Sequence, residues 1–571
     1  MYTELAASVI GIYLVYRIFI RLRLSRAKHP SLRGHSKWSR RIAKQIPFFS
    51  YDQKYFFACD GAPEDIQQKR KAALEQLKNH ANSSSPKTIA FLSQIKSSIS
   101  DIIFTSAYRI PFPFRDVLHK ELLLGSIVDE SKGVQLKDID GNWRYDLSGS
   151  YGVNVFGYDF YKDCIQKGAE KVQDLGPVLG PYHPVIQQNV EKIKKIAGLD
   201  EVSFHMSGTE AVMQAVRLAR YHTGRSHLVR FCGAYHGWWD GVQPGIGNQR
   251  QVNDVYTLSE FSEATIKVLE TRKDIACVLI NPLQAFHPNS DGPSDSTLVA
   301  SNRATHFDRE KYADWLQRIR NICTQRNIVL IFDEIFTGFR LGYRGAQEYF
   351  NVQADMVTYG KTLGGGLPIG VLCGKHHLMK RFKDDSPAFV SFARGTFNSH
   401  PYVMGTMNEF LNRIESPEIQ QHYSQIESIW NERVQRWNDK LAAKNLPIKI
   451  ESMHTILTVI YLLPSRFNWM LQFYLRANNL ELAWIGTGRF IMPFNVSEED
   501  FENICDCFIQ AVEQMQADQW WWQPENYSNK VIQRLMLNDI LRAKFPILSK
   551  IISSPAAPVY KSDKETIKRV S

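Results

Sequence analysis

The chain has 571 residues, 44% of them hydrophobic and 22% charged, a balance that excludes disorder for most of its length and leaves room for two or more domains. Its formal net charge of +11 would suit an anionic partner, yet no zinc-finger spacing, RNP-like aromatic motif or sustained Arg/Lys stripe accompanies it. Nucleic acid is therefore not expected as a partner, and no metal ligands are expected. The eight cysteines show neither CxxC pairing nor a disulfide framework, which suits reduced thiols in a cytosol-facing compartment.

Residues 5–20, LAASVIGIYLVYRIFI, are apolar apart from Arg17, and Arg21, Arg23, Arg26 and Lys28 follow at once. Positive charge placed after the apolar stretch argues against a cleaved signal peptide, and 16 residues is short for a span of about 20. Three readings stay open for residues 1–28: a tilted anchor whose arginines snorkel, an amphipathic helix lying in the interface, or a helix buried against the protein's own body. The first two leave the body cytoplasmic, membrane-associated on the cytosolic side. Residues 29–115 form an extension with a helix expected over 64–80 and no legible function. Near its end, Arg109 and Arg115 are candidates to bind a carboxylate or phosphate end of a substrate, because a guanidinium pairs with either in bidentate fashion.

Further along, GVQLKDIDGNWRYDLSGSYG carries two alternating runs around Asp140-Gly141, a hairpin signal. Val202-Ser203-Phe204 reads as a strand, Ser207-Gly208-Thr209 as a turn, and Glu210 to Tyr221 as a helix. Two hydroxyls and free N–H groups at a helix N-terminus stabilise a phosphate, although serine and threonine also cap helices for structural reasons alone. A strand over 228–232 leads into Tyr235-His236-Gly237-Trp238, where His236 is read as a satisfied buried histidine rather than an acid or base. The strand 275–280 precedes Asn281-Pro282-Leu283-Gln284, and residues 287–307 are rich in Ser, Asn, Asp and Pro. A loop of that kind beside a site commonly shapes substrate access.

Ile328 to Phe332 is an unbroken apolar run that reads as a parallel strand buried on both faces, and Asp333 ends it. Met356-Val357-Thr358 is a second strand candidate, followed by Tyr359-Gly360-Lys361 and Gly364-Gly365-Gly366. An acid and a lysine ending neighbouring strands suit pyridoxal phosphate (PLP): the lysine forms a Schiff base with the aldehyde, and the acid keeps the pyridine nitrogen protonated. Beyond about Leu411 the chain turns helical, alternates over 448–463, and is helical again from Glu498. Trp520-Trp521-Trp522 and the basic region 524–571 are expected either as a solvated tail or as a membrane-touching end.

The segments Ser-Gly-Thr-Glu-Ala, Tyr-His-Gly, DEIFTGFR, YGKTLGGGLPIG and Gly-Thr-Phe occur in the order found in class III PLP-dependent aminotransferases, and the chain resembles that family, most of all glutamate-1-semialdehyde aminomutase and its transaminase relatives. The resemblance covers about residues 116–520. It implies an α/β chain of PLP fold type I, with a large PLP-binding domain over 161–410, a mainly parallel sheet, and a smaller α+β domain built from the hairpin region 116–160 and from 411–523. It makes Lys361 the Schiff-base lysine and Asp333 the partner of the ring nitrogen. Ser207, Gly208 and Thr209 then hold the cofactor phosphate, Tyr235 stacks on the ring, Gln284 lies near the phenolic oxygen, and Tyr151 walls the substrate pocket. Thr396 reaches the cofactor phosphate of the neighbouring subunit, so a homodimer is implied. Asn281 replaces a glutamate common in the family, and 287–307 is an atypical insertion; amino-donor preference is therefore not carried over. Three functions compete: an aminotransferase passing an amino group from a donor to a carbonyl acceptor, lipophilic or carrier-bound if residues 1–28 reach a membrane; an intramolecular glutamate-1-semialdehyde aminomutase; and a membrane-tethered PLP-fold protein without turnover.

Overall fold

The structure, a computed structural model, describes residues 2–25, 41, 43–102, 104, 110–118, 122, 125–231, 234–243, 247–250, 252–282, 308–482 and 489–545. They fall into two compact units, one from the described residues within 1–43, 162–287 and 307–423, the other from those within 44–161 and 424–571.

In chain order, α1 (Tyr2–Ser25) comes first, then α2 (Glu64–Ser84) and α3 (Pro86–Ile95). Strands β1 (Val128–Lys132), β2 (Gln135–Asp138) and β3 (Trp143–Asp146) form an antiparallel meander. The β2–β3 turn is made by Asp140 and Gly141, and Gly141 takes φ +94° there, which glycine adopts without a Cβ penalty. The first unit follows with β4 (Glu201–His205), helix α4 (Gly208–Thr223), β5 (His227–Phe231), β6 (Val255–Leu258), β7 (Ile275–Ile280), β8 (Val329–Asp333), β9 (Met356–Gly360) and β10 (Gly370–Gly374). The chain closes with β11 (Ile448–Met453), β12 (Ile456–Tyr461), β13 (Leu480–Glu481), β14 (Arg489–Ile491) and helix α5 (Asn529–Lys544).

The first unit is organised on a seven-stranded sheet in the order β4-β10-β9-β8-β7-β5-β6. Its strands are parallel except β10, which runs antiparallel to both β4 and β9. Every residue of β7, β8, β9 and β10 is buried, which is why these strands read as continuous apolar runs and not as alternating ones. One face of α4 (Val212, Ala215, Val216, Ala219) packs into a cluster with Ala276, Leu279, Val329, Ile331 and Leu372, so the helix that begins at Ser207 is seated on the sheet centre.

In the second unit β13 joins the meander by pairing parallel to β3, and β11-β12-β14 form a separate antiparallel sheet. Two expectations are corrected here. Trp520 and Trp521 are buried, and in α5 Ile532, Asp539 and Arg542 are buried as well, so residues 520–544 are anchored to the second unit at these positions and are not a solvated or membrane-touching tail. The reason is a buried ionic cluster: Arg466 meets Asp60 at 3.0 Å and Asp539 at 3.3 Å, and the Tyr51 hydroxyl donates to Asp539 at 2.8 Å. The cluster ties the extension, the C-terminal region and α5 together, since each charge taken out of water needs its partner.

Helix α1 departs from the buried and the amphipathic readings of residues 1–28. Among the described residues no helix is long and apolar enough to cross a membrane. Val9, Ile10, Ile12, Tyr13, Leu14, Val15, Tyr16, Ile18 and Phe19 are each 54–71% exposed, so the segment is not buried against the protein. These positions run round the whole circumference, without the single apolar stripe of an amphipathic helix.

Candidate active site

Asp333 is the last residue of β8 and pairs with Thr358 of β9; Lys361 follows the last residue of β9. The acid and the lysine therefore sit at the carboxyl ends of adjacent parallel strands, where open α/β sheets place their ligands. Asp333 is 2% exposed. Its carboxylate accepts from His236 Nδ1 at 2.7 Å, from the Ile335 backbone N–H at 3.2 Å and more weakly from the Thr358 hydroxyl at 3.4 Å. Lys361 is in the left-handed region, φ +46°, and its Nζ stands 4.7 Å from the centre of the Phe336 ring. The same four residues, Asp333 to Phe336, thus carry the acid and floor the lysine.

The turn before α4 closes on this floor. Ser207 is the N-cap, its hydroxyl accepting from the Glu210 N–H at 3.3 Å, while the Glu210 carboxylate accepts from the Met206 N–H at 2.9 Å. Backbone and side chains leave no room for a methyl group around the turn. A Cβ on Gly370 would lie 2.0 Å from the Ser207 carbonyl oxygen, one on Gly237 2.3 Å from Thr209 Oγ1, and one on Gly208 2.3 Å from Ile335 Cδ1. Three glycines from three segments therefore let β10, the 235–237 loop and Ile335, just past β8, meet at the start of α4.

Tyr235 leaves its ring 64% exposed. Its phenol is pushed up by partial burial and then by the nearby Asp333 charge, which places the ring within electrostatic reach of the acid. His236 is buried, and among the described residues its Nε2 has no hydrogen-bond partner. The expected satisfied histidine is thus half right: one nitrogen serves Asp333 and the other is left over.

A family model for class-III aminotransferases matches residues 118–285 and 308–512. The chain belongs to the class-III aminotransferases. Its relatives include the glutamate-1-semialdehyde 2,1-aminomutase of Methanocaldococcus jannaschii, 34% identical over 311 residues, which are 52% of this chain and 65% of that protein. The aminomutase of Alkaliphilus oremlandii is 32% identical over 307 residues, 52% of this chain and 69% of its own. The chain thus spans about two thirds of the length of these relatives. A glutamate-1-semialdehyde-aminomutase structure from Pseudomonas aeruginosa PAO1 matches with TM-score 0.60 at 16% identity, over 78% of this chain and 99% of that one. A β-phenylalanine aminotransferase from Variovorax paradoxus gives TM-score 0.60 at 19% identity, over 79% and 98%. At these identities the likeness establishes the fold: the seven-stranded sheet is that of a class-III aminotransferase.

The first unit of this class-III chain brings together Ser207, Gly208, Thr209, Tyr235, Asp333 and Lys361. Thr396 belongs to the same unit, exposed in a turn in which the Asn398 N–H donates to the Gly395 carbonyl. Gln284 and Arg109 lie outside the described residues. Tyr151 and Arg115 belong to the second unit. Tyr151 is exposed at φ +57° in a turn held by buried Asp146, which accepts from the Ser148 and Ser150 N–H groups at 2.8 and 3.0 Å. Arg115 donates from Nε to the Ile110 carbonyl at 2.9 Å, so part of its guanidinium already serves the chain's own backbone. Sequence reasoning missed the His236–Asp333 bond and the role of Asp146. The Tyr-His-Gly motif was the signal for the first; nothing local marked the second.

Proposed function

We propose that the chain is a PLP-dependent aminotransferase. The observation that carries this reading is the pairing of Asp333 and Lys361 at the ends of β8 and β9, with His236 behind the acid. The residues fit the cofactor: a glycine-cleared helix N-terminus with Ser207 and Thr209 suits its phosphate, the exposed face of Tyr235 suits an aromatic ring, and a buried, hydrogen-bonded carboxylate suits a protonated ring nitrogen. When bound, PLP supplies an electron sink for the bonds at the amine-bearing carbon. Asp333 keeps a proton on the ring nitrogen, and His236 Nδ1 fixes the carboxylate that does so. Lys361 would hold the cofactor's aldehyde, and its Nζ, when free, would serve as the base that takes the proton from the substrate α-carbon and as the acid that returns it. A second subunit supplies Thr396 to the phosphate, so the active unit is a homodimer.

The substrates are an amino donor and a carbonyl acceptor. The exposed apolar α1, with arginines at its C-terminal end, supports a lipid surface as a partner and a lipophilic or carrier-bound acceptor delivered there, on the cytosolic side. A second reading, the 2,1-aminomutase reaction on glutamate-1-semialdehyde, is favoured by the names of the relatives. PLP-loaded protein incubated with amino donors and a panel of carbonyl compounds separates the two. Net keto-acid formation that needs both partners marks the transaminase; isomerisation of glutamate-1-semialdehyde with no second substrate marks the mutase. Absence of both would leave a PLP-fold protein without turnover and sink the proposal.

A further inference from the structure

Between β10 and the helix Pro401–Arg413 the chain makes an excursion, residues 380–398, that ends in the turn bearing Thr396. Beyond a single bridge between Lys383 and Ser386 it has no regular structure after Lys380, and Phe382, Phe389, Phe392 and Phe397 are all exposed. Its own packing does not fix its course. Besides the Phe389 ring stacked on Tyr221 at 5.1 Å and Arg394 Nη2 donating to the Gly180 carbonyl at 3.3 Å, a set of side-chain donors aimed at its carbonyl groups holds it. Arg381 Nη1 donates to the Ala393 carbonyl at 2.8 Å, Arg217 Nη2 to the Phe392 carbonyl at 3.0 Å, and the Tyr221 hydroxyl to the Phe389 carbonyl. The Ser391 N–H closes the excursion on the Arg381 carbonyl at 2.8 Å.

Two of these donors share an origin. Arg217 and Tyr221 lie on α4, the helix whose first residues are Gly208 and Thr209. Arg381 is anchored from behind: its Nη2 donates to the Ser203 hydroxyl at 2.7 Å, and Ser203 Oγ is 3.1 Å from His205 Nε2, both on β4, the strand that leads into Ser207. A planar fork with donors on two nitrogens can bridge two acceptors in one geometry, which a lysine cannot do.

We propose that Arg381, backed by Arg217, is a positioning residue: it holds the 389–396 segment on α4 and β4 so that Thr396 is presented outward to the cofactor phosphate of a second copy. This rests on the dimeric reading above. Acting through Thr396, Arg381 affects the partner's site and not that of its own subunit.

The test is the Arg381→Ala holoenzyme, with Arg217→Ala as a second variant that leaves the Ser203 contact in place should the first fail to fold. Each should bind PLP about tenfold more weakly, bind pyridoxal, which lacks the phosphate, as the wild type does, and still sediment as a dimer. Equal weakening for PLP and pyridoxal would overturn the proposal, because that pattern belongs to general damage at the site. Hybrids decide the subunit. Assayed at PLP too dilute to load either variant alone, and mixed and re-associated with Lys361→Ala chains, Arg381→Ala should recover activity through dimers with one intact site, as Thr396→Val should. If Thr396→Val recovers and Arg381→Ala does not, Arg381 acts within its own subunit and the proposal fails. If Thr396→Val itself does not recover, the dimeric reading fails, and the proposal with it.

Discussion

Gly370→Ala isolates the contact on which the candidate phosphate turn depends. Gly370 opens β10 opposite both His205 and Gly360, and its φ is not in the left-handed region, so alanine brings no conformational penalty of that kind. The added Cβ would lie 2.0 Å from the Ser207 carbonyl oxygen, 2.5 Å from its carbonyl carbon and 3.1 Å from the Gly208 nitrogen. All three are backbone atoms, so no side-chain rotation relieves the contact, and β10 and the turn must part by about 1 Å. Overpacking of a rigid, filled region costs roughly 1–3 kcal/mol. If the strain is released by opening the turn, it appears as a PLP affinity lowered by about five- to 150-fold. Gly247→Ala is the control: its Cβ would have nothing among the described residues within 4 Å. PLP titration and thermal unfolding of the two variants side by side supply the assay. Equal affinities and equal melting temperatures would show that β10 does not press on the turn, and the placement of the phosphate site would fall.

Three further outcomes are expected. His236→Ala removes the shortest hydrogen bond to Asp333, a charge-assisted bond worth about 2 kcal/mol; turnover should fall roughly thirtyfold with KM little changed, and unchanged turnover would exclude His236 as a positioning residue. Arg466→Met removes the cation shared by Asp60 and Asp539 and leaves Asp539 only the looser Arg542 at 4.0 Å, which should cost about 3–5 kcal/mol, read as a lowered unfolding midpoint; a shift equivalent to less than about 1 kcal/mol would refute the role of the cluster. Glu334 is pushed up to about 8 by burial, so between its ordinary 4.5 and 8 the folded chain keeps a proton that the unfolded chain has lost. Stability should therefore decline as pH rises through that window, and Glu334→Gln should flatten the decline in thermal unfolding across it; an identical pH profile in the variant would contradict the assignment.

Much of the first unit was legible because its strands are buried on both faces. Ile275 to Ile280 and Ile328 to Phe332 have no solvent side, so burial alone wrote them as apolar runs bounded by turn residues. The hairpin was legible from Asp140-Gly141 because a two-residue preference fixes a turn locally. What escaped depends on approach between distant segments. His236 reaches Asp333 across 97 positions and Arg381 reaches Ser203 across 178; neither leaves a periodic trace. The antiparallel insertion of β10 is likewise a matter of topology, since Val371 to Cys373 would read the same in either direction. The C-terminal region misled for a related reason: its basic composition reads as solvated, while Asp539 is buried against Arg466, 73 positions away, and Tyr51, 488 positions away.

The central claim is that Lys361 carries the cofactor. Borohydride reduction of PLP-loaded protein, followed by digestion and mass spectrometry of the peptides, tests it directly. The account predicts a phosphopyridoxyl group on Lys361 alone, lost in Lys361→Ala while that variant still binds PLP weakly and reversibly through the turn at Ser207. A label on a different lysine, or an unchanged label in Lys361→Ala, would contradict it.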